Sequence, residues 1–324
     1  MAKFLVTGAG GFIGSHLCEQ LISEGHSVRA FVRYTSTSSE GWLGDSPHRS
    51  KIEFFRGDIR DFDSVSKSLD GVEGVYHLAA LIGIPYSYES PMAYLKTNIE
   101  GTYNVLEAAK AKSTGFIAVT STSEVYGTAR FTPITEEHPL QPQSPYSATK
   151  IAADSLALSY YNSFELPVTI VRPFNTFGPR QSDRAIIPTI INQLLRRNDK
   201  ILLGSLSPIR DFTFVHDTVR AISKIPKIEA FRGKAVNIGS GKGVSMGALY
   251  DIISQIIGHR AEIVEDKNRM RPENSEVFEL LCSADLLKSK SDWSPESSLE
   301  EGLKQTIEWF KKNVDKYPDS HYRL

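Results

Sequence analysis

A phenol and an ammonium stand at i and i+4 in Tyr146-Ser147-Ala148-Thr149-Lys150, a spacing that puts both on one face of a helix. A tyrosine hydroxyl titrates near pH ~10, too high for a base at neutral pH. A neighbouring lysine stabilises the phenolate and brings it towards working range. The same spacing also describes an ordinary surface pair, so its meaning depends on the surroundings. Upstream lies Thr120-Ser121-Thr122-Ser123-Glu124-Val125-Tyr126-Gly127, a run of hydroxyls with a carboxylate. It follows an expected strand, and open α/β sheets bind ligands at the C-terminal ends of their strands.

A second chemistry is written at the start of the chain, in Thr7-Gly8-Ala9-Gly10-Gly11-Phe12-Ile13-Gly14. Glycines there let the backbone turn sharply, approach a pyrophosphate and pack the next helix on the sheet, whose N-terminus offers free N–H groups. The spacing is G-x-x-G-x-x-G, with Ile13 where G-x-G-x-x-G has its last glycine. Its place between a strand and an amphipathic helix favours a dinucleotide over a plain tight turn. Gly8, Gly11, Phe12, Ile13 and Gly14 form the expected cradle. Asp58-Ile59 ends a strand, where Asp58 either accepts from an adenine amino group or caps a turn. Leu78-Ala79-Ala80 places small residues where a cofactor would lie, whereas the adjacent His77 reads as a packed, hydrogen-bonded histidine. Arg33 ends the second strand, at the position where an acidic residue holds the ribose of NAD and an arginine holds the 2′-phosphate of NADP. It tilts the expectation from NAD to NADP unless it is a plain surface arginine.

These groups must be carried by a suitable scaffold. Apolar runs at Lys3–Thr7, Ser27–Val32, Ile52–Arg56, Gly74–Leu78, Phe116–Ser121 and Val168–Arg172 alternate with helical patterns, which predicts βαβ units and a parallel sheet. Ile13, Leu17 and Leu21 share a helix face. Further helices are expected from Pro91 to Lys112, from Tyr146 to Phe164, and at 186–197, 245–257 and 298–314. Strands are expected near 201–203 and 212–215. The fold class is therefore α/β, a Rossmann-type doubly wound parallel sheet with a smaller C-terminal substrate domain. The expected division is 1–175 and 176–324, with the chain returning to the first unit around 212–238.

Composition sets limits. The 324 residues carry 37 Lys and Arg against 38 Asp and Glu, a net charge of −1, so there is no basic excess to hold nucleic acid. Two cysteines exclude a disulfide scaffold and suit a reducing compartment. The eight histidines are scattered, without metal-site spacing. No apolar run approaches the ~18 residues of a membrane span. Gly8 interrupts the apolar N-terminus, which argues against a signal peptide, and a cytoplasmic location is expected.

Taken together, T-G-x-x-G-x-x-G, H-L-A-A, S-T-S-E-V-Y-G, Y-x-x-x-K and R-P-F-N-T-F-G-P-R resemble the extended short-chain dehydrogenase/reductases acting on nucleotide sugars, over essentially the whole chain. Within them the chain is most similar to nucleotide-sugar 4,6-dehydratases. The segments 84–88, 141–146, 159–164 and 271–277 look like the LegB type, which converts nucleotide-linked N-acetylglucosamine for legionaminic-acid-type sugars. The resemblance implies that Tyr146 takes the proton of the sugar 4-hydroxyl, Thr122 hydrogen-bonds that oxygen, and Lys150 tunes Tyr146 and holds the nicotinamide ribose. It implies a carboxylate, Glu124, for the C5 proton. Ser123 stands where the dTDP-glucose enzymes have Asp, which leaves both proton transfers to Glu124. The alternative for Glu124 is a salt-bridged glutamate at a strand end. Asn175, Arg210 and Arg271 match substrate-phosphate positions, for which guanidinium pairing gives the physical reason. Arg180 and Arg184 join them as candidates, Arg184 being equally readable as surface charge. The resemblance further implies a recycled NAD or NADP, a nucleotide-sugar substrate, and a homodimer through a four-helix bundle. Ala152, Ala153, Leu156, Ala157 and Tyr160 would line its face. A UDP-glucuronate decarboxylase, a 4-epimerase and a non-catalytic dinucleotide scaffold are the competing readings.

Overall fold

Runs of Val, Ile, Phe and Leu without polar alternation belong in strands covered on both faces, and that is where the first half of the chain places them. The computed structural model describes residues 1–266 and 275–317. In it β1 (Lys3–Thr7), α1 (Phe12–Ser23), β2 (Ser27–Arg33), β3 (Ile52–Gly57), α2 (Phe62–Ser68) and β4 (Gly74–His77) follow in order. They are succeeded by α3 (Ile84–Glu89), α4 (Pro91–Tyr94), α5 (Gly101–Ala111), β5 (Ile117–Thr120), α6 (Pro145–Phe164) and β6 (Val168–Pro173). The second half supplies β7 (Asn175–Phe177), α7 (Ile186–Leu195), β8 (Lys200–Leu203), β9 (Ile209–Phe214), α8 (Val215–Lys224) and β10 (Ala235–Ile238). It ends with β11 (Gly243–Ser245), α9 (Met246–Ile257), β12 (Glu262–Glu265), β13 (Glu279–Leu280), α10 (Asp285–Lys290) and α11 (Leu299–Asn313).

The central sheet has seven strands in the order β10-β6-β5-β4-β1-β2-β3, all neighbours parallel. This is the doubly wound Rossmann-like architecture, with its switch of direction between β1 and β4, the crevice where such sheets bind nucleotides. The chain leaves the sheet after β6 and returns at β10, where Val236 pairs with Val171. On the way α8 packs on α1, and Tyr76 of β4 donates to the Ser223 carbonyl at 3.0 Å. The later segments form two small sheets, one joining β7, β9, β11 and β13, the other pairing β8 with β12.

The helix expected from Pro91 to Lys112 is not a single α-helix. Leu95–Glu100 adopts a π-helical turn between α4 and α5. Within that turn Asn98 accepts from the Leu81 N–H at 2.8 Å and donates to the Leu81 carbonyl and the Thr149 hydroxyl, each at 3.0 Å. Tertiary partners of this kind accompany π-bulges, which cluster at functional sites, and no local pattern announces them. No helix among the described residues is long and apolar enough to cross a membrane.

Candidate active site

The glycine turn closes on itself between β1 and α1. Gly8 has φ +68°, and a Cβ on it would lie 2.8 Å from the Ala79 nitrogen. A Cβ on Gly14 would lie 2.3 Å from the Gly8 carbonyl oxygen. The absence of side chains at both positions lets the end of β4 and the first turn of α1 press on the loop. Gly11 caps α1 without a side-chain acceptor, and no acidic residue occupies the first turn. The N-terminal N–H groups and positive dipole end are thus left for an anion. Phe12 and Ile13 are half-buried and pack on the core. The residues fit a dinucleotide pyrophosphate.

Around this cradle, Leu78, Ala79 and Ala80 are half-buried beyond β4. Thr7 accepts from the Leu78 and Ala79 N–H groups, each at 3.1 Å. His77 is a packed histidine: its ring bonds Thr7 at 2.8 Å and Thr102 at 3.1 Å, and burial pushes its pKa down to about 3. Asp58 is engaged by Arg60, whose Nε donates at 2.9 Å, while Ile59 is buried and accepts from Asn104 at 3.1 Å. Arg33 is exposed at the end of β2, opposite Gly57 of β3.

At the C-terminal end of β5 the chain meets α6. That helix begins on a capping box between Ser144 and Ser147, with Pro145 in its first turn, a strong local start signal. Three successive residues leaving β5 engage three positions of α6. The Thr120 carbonyl accepts from Lys150 Nζ at 2.7 Å, Ser121 donates to Asp154 at 2.8 Å, and Thr122 hydrogen-bonds the Tyr146 phenol. Both Tyr146 and Lys150 are buried, so they are not a surface pair. Burial lowers the Lys150 pKa, opposed by Asp154. Burial raises that of Tyr146; the Thr122 hydrogen bond opposes the rise, and the negative charge of Glu124 adds to it. A bound cation or a polarised ligand would have to supply the compensating stabilisation of the phenolate.

Thr122 also accepts from the Glu124 N–H at 3.2 Å, which fixes the 3₁₀ turn Ser123–Tyr126. Ser123 is buried and Glu124 half-buried. Tyr94 lies edge-on to Tyr146 with ring centroids 6.2 Å apart. Tyr94 donates to the Gly83 carbonyl, and Arg184, exposed, lies near enough to act on the Tyr94 phenol.

The remaining expected substrate residues are dispersed. Asn175 stands on β7 with its side-chain oxygen buried and without a hydrogen-bond partner among the described residues. Arg210, buried on β9, donates to the Ile209 carbonyl at 3.0 Å and lies 3.5 Å from Glu276. Arg180 is drawn to α1, donating to Ser15 at 3.1 Å and Glu19 at 3.0 Å. Arg271 lies outside the described residues. The expected dimer face also needs correction. Ala153, Ala157 and Tyr160 are buried in the chain's own core, because this side of α6 packs on α5. The outer side presents half-buried Ala152 and Leu156, with Phe164 and, on α5, Tyr103 exposed.

Sequence reasoning missed the group behind Lys150. Asp154 pairs with Arg172, whose Nη1 donates to the Tyr126 hydroxyl at 2.9 Å. Tyr126 donates in turn to Asn237 at 2.7 Å. The one available signal was Asp154 itself, which continues the four-residue spacing of Tyr146 and Lys150.

Comparison with known proteins gives consistent relatives. The family model described as GDP-mannose 4,6 dehydratase matches residues 5–306. A putative UDP-glucose 4-epimerase of Methanocaldococcus jannaschii is 33% identical over 315 residues, covering 95% of this chain and 98% of the relative. Among solved structures, a dTDP-glucose 4,6-dehydratase from Streptomyces venezuelae with NAD bound superposes with TM-score 0.87 at 27% identity, covering 97% of this chain and 98% of that one. A UDP-glucuronic acid 4-epimerase variant from Bacillus cereus, also with NAD, gives TM-score 0.88 at 29% identity, covering 96% and 99%. Dehydratases and epimerases are thus both similar to this chain.

Proposed function

The chain belongs to the GDP-mannose 4,6 dehydratase family, within the extended short-chain dehydrogenase/reductases, and from that premise we propose that it is a nucleotide-sugar 4,6-dehydratase acting on GDP- or UDP-N-acetylglucosamine. The observation that carries this reading is Glu124. It sits on the turn that Thr122 caps, close enough to act electrostatically on Tyr146. An epimerase that only turns a ketone over has no use for a carboxylate beside its base, whereas elimination of water needs one.

In this reading Tyr146 takes the proton of the sugar 4-hydroxyl, whose oxygen Thr122 holds by a hydrogen bond. Lys150, fixed by the Thr120 carbonyl, stabilises the phenolate. Bound NAD or NADP would supply the hydride acceptor for C4 and the hydride donor for C6. The 4-ketone makes the C5 proton acidic; Glu124 removes it and gives a proton to the departing 6-hydroxyl, so that one water leaves. Ser123, buried beside them, takes no proton. A proton from solvent, relayed by Glu124, enters C5 as the hydride enters C6, and Tyr146 gives its proton back to solvent; the product is a 4-keto-6-deoxy sugar nucleotide.

The cofactor would be held by Gly8, Gly11, Phe12, Ile13 and Gly14 at the pyrophosphate and by Asp58, Ile59 and Leu78 to Ala80 along the adenosine and nicotinamide. Arg33 favours the 2′-phosphate of NADP. Asn175, with an unmatched buried oxygen, and Arg210 are assigned to the substrate nucleotide. A homodimer through α5 and α6 is part of the same proposal, with Tyr103, Leu156 and Phe164 at its face.

The test is incubation of the purified protein with UDP-N-acetylglucosamine, GDP-N-acetylglucosamine, GDP-mannose and UDP-glucuronate, with products followed by NMR. A 4-keto-6-deoxy product from an N-acetylglucosamine nucleotide supports the proposal. Simple inversion at C4, or release of CO₂ from UDP-glucuronate, replaces it with the epimerase or decarboxylase reading.

A further inference from the structure

Behind the Tyr146–Lys150 pair, α6 carries a third buried polar residue on the same face. Asp154 is 1% exposed, Lys150 3% and Tyr146 6%. One oxygen of Asp154 accepts three hydrogen bonds: from Ser121 at 2.8 Å, Arg172 Nε at 3.1 Å and Arg172 Nη2 at 3.0 Å. Three donors on one oxygen are the environment of an ionised carboxylate. Its other oxygen is buried and has no hydrogen-bond partner among the described residues, although an Asp–Arg pair normally satisfies both. A buried, under-satisfied carboxylate is costly, so its retention one helical turn from a buried ammonium calls for a reason.

We propose that Asp154 is a positioning residue for the proton-transfer pair, its fixed carboxylate being the counter-charge that holds the Lys150 ammonium against the end of β5; this rests on the reading of Tyr146 and Lys150 above. Among the described residues Asp154, one helical turn along α6, is the anion that offsets the effect of burial on the Lys150 charge. Arg172 is the clamp that keeps Asp154 from relaxing, since its remaining nitrogen is tied to Tyr126 and through it to Asn237. The Asn237 N–H donates to Glu136 at 2.8 Å. The other titratable or charged groups facing the trio are His77 from β4, Tyr94 from α4, Glu124 and Tyr126 from the turn after β5, and Arg172 from β6. Burial keeps His77 neutral. Burial itself pushes the Asp154 carboxyl up, and Arg172, Lys150 and Ser121 oppose it.

The experiment is a phenolate titration of the NAD-loaded protein, read by ultraviolet absorbance as the difference between each enzyme and its Tyr146→Phe counterpart. Asp154 lies two helical turns from Tyr146 but one turn from Lys150, so its hold on the ammonium outweighs its direct repulsion of the phenolate. In Asp154→Asn the ammonium that stabilises the phenolate is displaced or neutralised, and the Tyr146 component is therefore expected at higher pH by about one unit or more, the usual effect of losing one nearby opposite charge. Asp154→Glu, which keeps the charge, is expected to titrate as wild type. If Asp154→Asn fails to fold with Arg172 unmatched, Asp154→Asn/Arg172→Gln buries no lone cation and is expected to shift in the same direction. An unshifted or lowered titration in a folded variant lacking the carboxylate, or an equal rise in Asp154→Glu, overturns the proposal. Failure of the enzymatic reading shows separately, as a wild-type protein that converts none of the sugar nucleotides by NMR while the titration shift persists.

Discussion

Lys150 reaches across from α6 to the carbonyl oxygen of Thr120, 2.7 Å away at the last residue of β5. That bond ties the charged member of the proton-transfer pair to the same strand whose next two residues hold Asp154 and Tyr146. The site is therefore built on one strand end and one helix face, and it inherits their rigidity.

Glu124→Gln is expected to spare oxidation at C4 and block elimination, because an amide cannot take the C5 proton. Reduced nicotinamide should accumulate with the substrate, and product formation should fall by ~10²–10⁴, the usual value of one positioned proton-transfer group. Absorbance of the reduced cofactor and product NMR measure the two effects separately. Near wild-type turnover would remove Glu124 from the mechanism.

Tyr146→Phe should stop the reaction earlier, with no reduced nicotinamide, since nothing is left to take the 4-hydroxyl proton. The loss should again be ~10²–10⁴-fold. Single-turnover mixing of substrate with the NAD-loaded variant checks it.

The fold was legible in the sequence to different depths in its two halves. Strands β1 to β6 can be read from short apolar runs because a parallel sheet buries both faces of each strand. The edges differ for local reasons: Leu78 leaves β4 because its N–H turns to the Thr7 carbonyl and hydroxyl. The pairing of Glu279–Leu280 with Ile209–Arg210 joins segments too far apart for any periodicity to signal. The same holds for the site. A helical spacing puts Tyr146 and Lys150 on one face, but not in the interior. Their burial follows from β5 and the Asn98 turn, and the Asp154–Arg172–Tyr126–Asn237 chain joins elements from four parts of the sequence.

Arg33→Asp should move cofactor preference from NADP towards NAD, because the exposed guanidinium at the end of β2 is exchanged for an acceptor of ribose hydroxyls. Affinities for both dinucleotides measured by calorimetry decide this. An unchanged ratio would make Arg33 an ordinary surface residue.

Phe164→Glu should yield a monomer. Phe164 is 53% exposed and Tyr103 46%, and the substitution exchanges apolar contact area for a carboxylate that must be desolvated on association even if Lys110, whose ammonium lies 4.4 Å from the Phe164 ring centroid, pairs with it. Light scattering at micromolar concentration reads the outcome; a wild-type monomer would refute the dimer.

Stability should fall as pH drops from about 6.5 to about 4 through His16. Burial depresses its folded pKa from 6.5 to about 4, so the unfolded chain binds the proton first and acid favours unfolding. His16→Gln, which keeps a side chain able to reach the Phe12 carbonyl that His16 now bonds at 2.9 Å, should lessen the fall in melting temperature over this window, part of the fall remaining because burial pushes the His77 pKa down to about 3. An unchanged pH slope would contradict the assignment.

The most direct measurement is turnover of UDP- or GDP-N-acetylglucosamine in D₂O with the product examined by NMR. Removal of the C5 proton by Glu124 and elimination of water from C5 and C6 predict a 4-keto-6-deoxy sugar with deuterium at C5. A C4 epimer with protium at C5 and an intact 6-hydroxyl would contradict it.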